Sequence, residues 1–288
     1  MANPHIIDCA GSLLERYDVL LCDIWGVVHD GQRVHPDANA ALKRFRERGG
    51  SVILVSNSPS PSPGVARILD DKGIERTAWD RIVSSGDLAL RRIASEGYTR
   101  IFGIGPVRRD RLFFEALPGT SDRIETADAL ACTGLVDDRR ERPEDYLPAL
   151  RSAQVRNLPF VCANPDLSVH VGADLLPCAG AIAALYEALG GSVHWAGKPH
   201  PIAYETALEL AMELRAGQVE RSRVLAIGDS IRTDLAAAAA AGIDALFITS
   251  GIHRDEVMAD GSISGPSLAV ALAGLVQRPI ASAASLKW

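Results

Sequence analysis

The sequence predicts an α/β protein: a parallel sheet covered by helices, with a second α/β domain inserted into it. Three observations carry that prediction. Unbroken apolar runs at 19–22 (VLLC), 52–55 (VILV), 224–227 (VLAI) and 245–248 (ALFI) read as strands buried on both faces, as in a parallel sheet. Helix-patterned stretches separate these runs, as crossover connections require. A separate strand–helix alternation fills the middle of the chain, and the four principal chemical sites split around it. The core domain is therefore assigned to residues 1–77 and 185–288, and the inserted domain to 78–184.

Taken in order, the first strand is 19–22. A helix follows over 37–48, with Leu42 and Phe45 on one face and Gly49 as its stop. The strand at 52–55 leads into 58–64 (SPSPSPG), where alternating Ser and Pro read as a loop. In the middle stretch, 101–104, a segment near 129–135 and 159–162 read as strands, and 144–153 as a helix. Helices are expected over 202–214 and from about 233 to 241, the latter rich in alanine, the best helix former. The segment 255–266 reads as a loop.

Composition narrows the function. The 288 residues include 30 Lys+Arg against 36 Asp+Glu, a net charge of −6, so no basic footprint for nucleic acid or an anionic membrane is expected. The N-terminal residues lack a basic-then-apolar leader, and no run approaches the ~18 apolar residues of a spanning helix. Cys9, Cys22, Cys132, Cys162 and Cys178 are odd in number and contain no C-x-x-C pair, which suits a reduced, cytoplasmic chain.

Four sites stand at predicted strand ends or in the loops that follow, where open α/β sheets bind ligands. Asp23 directly follows VLLC and could serve as a nucleophile or metal ligand, or simply cap the next turn. Ser56 and Asn57 follow VILV; a hydroxyl with backbone N–H groups can hold an oxyanion, and equally can form a turn. Lys198 lies between Gly197 and Pro199 at a helix entrance, either a binding cation or a solvated charge. Asp229 and Asp234, in GDSIRTD after VLAI, suit a hard cation, or else cap the following helix.

In this order the four sites resemble those of the haloacid dehalogenase superfamily, and in detail its class IIA, NagD-like branch. The phrases that carry the resemblance are DIWGVVHDG from Asp23, VSNS around Ser56, CANPD at 162–166, CAGAIAAL from Cys178, AGKPHPIAYETAL from Ala196 and IGDSIRTD from Ile227. They span most of the chain. The resemblance implies a Rossmann-like core with an α/β cap, and a Mg²⁺-dependent phosphohydrolase acting on a small phosphorylated metabolite. It implies that Asp23 forms an aspartyl phosphate, that Ser56, Asn57 and Lys198 hold the phosphoryl group, and that Mg²⁺ is bound by Asp23, the Trp25 carbonyl, Asp229 and Asp234. Cap-mediated dimers occur in such proteins, and the sequence leaves the oligomeric state open.

One position departs from the pattern. Phosphatases of that superfamily carry a second Asp two residues after the nucleophile, which protonates the leaving oxygen; here it is Trp25. General acid–base catalysis is worth ~10²–10⁴-fold. Three outcomes stay open: hydrolysis of phosphates with good leaving groups, a surrogate acid–base group with His29 the nearest candidate, or a pseudophosphatase that binds a phosphorylated ligand. Asn164 and Asp166, in the CANPD phrase, are candidates for substrate-side contacts or for a turn.

Overall fold

The computed structural model describes residues 5–171 and 174–288. They group into two compact units. The first takes the chain up to Ser56, Arg67–Val83 and Ala203–Trp288; the second takes Asn57–Ala66 and Ser84–Ile202.

The first unit is built on β1 (Val19–Cys22), β2 (Ser51–Ser56) and β3 (Arg81–Ser84). The second contributes β4 (Ile101–Ile104), β5 (Ala129–Cys132), β6 (Phe160–Cys162), β7 (Ser168–Val171), β8 (Asp174–Pro177) and β9 (Val193–Trp195). The chain then returns to the first unit with β10 (Val224–Gly228), β11 (Asp244–Ile248), β12 (Met258–Ala259), β13 (Ser262–Ile263) and β14 (Ala281–Ala283).

The large sheet has the order β14-β11-β10-β1-β2-β3. Its central pairs are parallel, with Cys22 level with Ile227 of β10 on one side and Leu54 of β2 on the other. Every residue of β1 and β10 is buried, so both faces of the sheet centre are covered, as the unbroken apolar runs require. The helix Pro36–Glu47 covers part of it by burying Ala38, Ala41, Leu42 and Phe45, a spacing of three and four residues that makes one stripe. Pro36 sits in its first turn, where no N–H is needed, and Arg44 and Arg46 lie near the negative end of its dipole. Fully burying a Leu or Phe side chain contributes about 1.5–3 kcal/mol.

Three local readings change. The stretch 255–266 is not a plain loop: β12 and β13 form a small antiparallel hairpin turned by Asp260 and Gly261, both at positive φ. That is the Asp-Gly signature of a two-residue hairpin loop. The helix Ser62–Asp71 begins inside the Ser/Pro segment, with Pro63 in its first turn. The alanine-rich helix, Ala236–Ala241, is preceded by a wider π-type turn at Ile231–Leu235 and ends at Gly242 in the left-handed region.

The second unit has its own parallel sheet, β4-β5-β6-β9, with Cys132 level with Cys162 and Cys162 level with Trp195. Its core joins Leu130, Phe160, Ile182 and Tyr186, the last donating its hydroxyl to Leu158 O at 2.6 Å. The expected helix at 144–153 appears as a 3₁₀ turn, Pro143–Tyr146, running into Leu147–Val155. Helices Ser85–Glu96 and Ala179–Ala188 complete the layer, the first capped by Ser84 Oγ accepting from Asp87 N–H. Because β9 pairs with β6, the segment before Ile202 groups with this sheet, whereas the sequence reading began the returning core at residue 185.

Candidate active site

In the first unit, chemistry gathers at the carboxyl edge of the large sheet. Parallel pairing sets Cys22 beside Ile227, so the next residues of each strand emerge together; Asp23 N–H donates to Ile227 O at 2.8 Å. Asp229 follows one residue after Gly228, and Asp234 is carried in on the π-type turn. The carboxylates of Asp23, Asp229 and Asp234 are all buried, and their ligating oxygens lie within 4.8 Å of one another. Ser56, half-buried, ends β2 two residues beyond the Leu54–Cys22 pair.

Like charges this close repel: a pair of unit charges at ~4 Å costs about 4 kcal/mol at an effective dielectric of ~20. Main-chain donors offset part of it. Ile252 N–H donates to Asp229 Oδ2 at 2.7 Å, and Ser230 N–H to Asp234 Oδ2 at 3.1 Å. Three hard carboxylate oxygens, buried and converging, are the donor chemistry of Mg²⁺ and not of a thiophilic metal. The residues therefore fit the ion that the sequence implies.

Two glycines make this cluster possible, and the sequence reading gave neither a role. A Cβ on Gly26 would lie 2.0 Å from Asp229 Oδ2, and one on Gly251 would lie 1.9 Å from the same oxygen. Gly26 also has φ +84°, which side-chain-bearing residues rarely adopt. Gly251 had one visible signal: it closes the Thr-Ser-Gly that directly follows β11.

The loop after Asp23 folds back on itself. Gly26 N–H donates to His29 O at 2.7 Å, and His29 N–H to Ile24 O at 3.2 Å. The half-buried Trp25 indole meets the His29 ring edge to face at 5.3 Å and covers Gly31, whose carbonyl accepts from Lys72 Nζ at 2.6 Å. His29 is 3% exposed, and its Nδ1 accepts from Gly31 N–H at 3.0 Å. Burial, reinforced by the Lys72 charge and by His35, pushes the imidazole down to about 4. His29, which the sequence offers as a surrogate acid–base group, is thus buried against Trp25 with Nδ1 engaged by the loop itself.

In the second unit, Lys198 follows β9 and is 2% exposed. Asn57 grips its main chain at two points: Asn57 Oδ1 accepts from Lys198 N–H at 2.8 Å, and Nδ2 donates to Lys198 O at 2.9 Å. The same carboxamide donates to Asp166 Oδ1 at 2.9 Å and accepts from Ser85 Oγ at 3.4 Å. Gly197 leaves room for this, since a Cβ there would lie 2.6 Å from Asn57 Oδ1 and 2.1 Å from Ser85 Oγ. Asn164 Oδ1 accepts from Asp166 N–H at 3.1 Å, closing a local turn of the kind the sequence also allowed. Asn57, Lys198 and Asp166 are thereby brought together, and the Asn57 side chain works on Lys198 itself.

Residues 20–115 match the family model of haloacid dehalogenase-like hydrolases, and residues 195–272 match a related HAD-hydrolase-like model. A solved haloacid dehalogenase-like hydrolase from Brucella suis 1330 is 42% identical, with a TM-score of 0.85 over 98% of this chain and 100% of that one. The 5'-nucleotidase YutF of Bacillus subtilis is 26% identical over 86% of this chain and 93% of its own length. The D-glycerol 3-phosphate phosphatase of Mycobacterium tuberculosis is 27% identical over 84% of this chain, which spans 65% of that protein.

Proposed function

This chain belongs to the haloacid dehalogenase-like hydrolases, and we propose that it is a NagD-like, Mg²⁺-dependent phosphohydrolase acting on a small phosphorylated metabolite. The observation that carries the reading is the convergence of three buried carboxylates within 4.8 Å at the end of two neighbouring parallel strands.

In this reading Asp23 attacks phosphorus, its carboxylate oxygen bonding as the ester oxygen departs, and water later releases phosphate from the aspartyl phosphate. Asp23, Asp229, Asp234 and the Trp25 carbonyl would hold Mg²⁺, which would supply positive charge against the repulsion between an anionic nucleophile and an anionic phosphate. Ser56 and the Asn57 N–H orient the phosphoryl oxygens, and Lys198 adds the second positive charge. Main-chain donors aim Asp229 and Asp234, while the Asn57 carboxamide fixes Lys198. Residues 78–184 would serve as the substrate-selecting cap, with Asp166 accepting from the Asn57 carboxamide that holds Lys198.

The intact acidic cluster, and relatives named as phosphatases and a nucleotidase, favour turnover over a binding-only role. No helix among the described residues is long and apolar enough to cross a membrane. The test is hydrolysis of p-nitrophenyl phosphate with and without Mg²⁺. Activity is expected to require the metal and to fall by about 10³-fold or more in Asp23→Asn. Equal turnover by that variant would end the mechanism.

A further inference from the structure

Phosphoryl transfer needs a place for the charge that builds on the departing oxygen. Protonation by a side chain is one route; departure as a stable anion is the other. Among the described residues of the first unit, Trp25, His29, Asp229, Asp234 and His253 are each already engaged.

Trp25, two residues after the nucleophile, bears an indole, which donates a hydrogen bond but does not ionise in the working range. Its ring is set on Gly31 and against His29. His29 is enclosed, and its Nδ1 is occupied by Gly31 N–H. Asp229 and Asp234 belong to the cation cluster. His253 is held at both ring nitrogens, Nε2 by Ile231 N–H at 3.2 Å and Nδ1 by Glu256 at 3.0 Å.

We propose that Trp25 makes this enzyme selective for acyl and aryl phosphates over alkyl phosphates, an inference that rests on the Asp23 phosphohydrolase reading. The step balances without an acid. An Asp23 oxygen bonds to phosphorus, the bond from phosphorus to the leaving oxygen breaks, and its electron pair departs as a carboxylate or phenolate. Carboxylic acids ionise near pH ~4 and phenols near ~10, whereas an aliphatic hydroxyl, like water, is a far weaker acid than either. In the second half-reaction water bonds to phosphorus, Asp23 leaves as carboxylate, and the water proton ends on the released phosphate.

This sequence separates two readouts. The ratio kcat/KM reports phosphorylation of Asp23 and carries the leaving-group dependence. The kcat values of good substrates converge, because they share one aspartyl phosphate.

The experiment measures kcat/KM with Mg²⁺ for substituted phenyl phosphates of similar size, acetyl phosphate and glycerol phosphate. The wild-type value is expected to fall steeply as the leaving group becomes more basic, with glycerol phosphate about 10³-fold or more below acetyl phosphate. Trp25→Asp is expected to narrow that gap by about 10²-fold. A flat dependence in the wild-type protein, or a gap below about tenfold, overturns the proposal even if the variant does not fold. If no member of the series is turned over in an Asp23-dependent way, the phosphohydrolase reading fails and this one falls with it. If turnover depends on Asp23 but not on the leaving group, only the selectivity is wrong.

Discussion

The two units bury charge by different means. In the first, three carboxylates share one small volume, and main-chain N–H groups grip two of them directly, Ile252 on Asp229 and Ser230 on Asp234. In the second, Lys198 is buried, and the Asn57 carboxamide grips its main chain. The contrast follows from hydrogen-bond chemistry. A carboxylate only accepts, so backbone N–H groups can hold it if the chain passes close by; an ammonium only donates and sits on a flexible stem. The first solution needs space without side chains. The second needs one residue that both donates and accepts.

The largest effect is therefore expected from filling the space around Asp229. In Gly251→Ala the new methyl would lie 1.9 Å from Asp229 Oδ2; in Gly26→Ala it would lie 2.0 Å away on a backbone at φ +84°. A displacement of about 1 Å in a catalytic group can cost ~10²-fold. Both variants are expected to lose that much kcat/KM and to need more Mg²⁺ for half-maximal rate, with Gly26→Ala also losing about 1–3 kcal/mol of stability. An unchanged Mg²⁺ titration would show that Asp229 is not held by this crowding.

Asn57→Ala tests the other arrangement. It removes four side-chain hydrogen bonds, two of them to the main chain of Lys198. Leaving buried backbone groups unpaired costs about 1–3 kcal/mol. If Asn57 positions Lys198, kcat/KM falls ~10–10²-fold, and Asn57→Ser, which restores a donor and an acceptor at shorter reach, recovers part of it. A stability loss with unaltered kinetics would make the clamp structural only.

These two sites also mark how far sequence reading reached. Asp23, Ser56 and Asp229 were legible because each stands at the end of an unbroken apolar run, and parallel register carries such ends to one edge. The helix Pro36–Glu47 was legible to within a residue from its stripe and its Gly stop. Gly251 and the Asn57 clamp were not. One acts through empty space on a residue 22 positions earlier, the other through a bond spanning 141 positions, and neither leaves a periodic trace. His29 shows the converse: its spacing from Asp23 was legible, whereas its burial and the Gly31 N–H on Nδ1 were not. The Asp260-Gly261 hairpin had a local signal, masked by the polar residues around it.

The smallest expected effect concerns groups that must stay neutral. The carboxyl ends of β5 and β6 carry Cys132 and Cys162 side by side, where the first sheet carries carboxylates. Burial pushes the thiols of Cys132 and Cys178 up to about 12, and that of Cys162 well above its ordinary value. A thiol ionising near 12 is thiolate to only ~10⁻⁴ at pH ~8, and the thiolate is the reactive form. Cys22 is buried in the first sheet, while Cys9 is exposed. A disulfide reagent at that pH is expected to modify one of the five thiols rapidly and the other four only on unfolding. The modified protein should keep its activity and its melting temperature, because Cys9 lies outside both arrangements. Rapid modification of a second thiol, mapped to Cys132 or Cys178, would mean that the ends of the second sheet open to solvent, and that its neutrality is not maintained by burial.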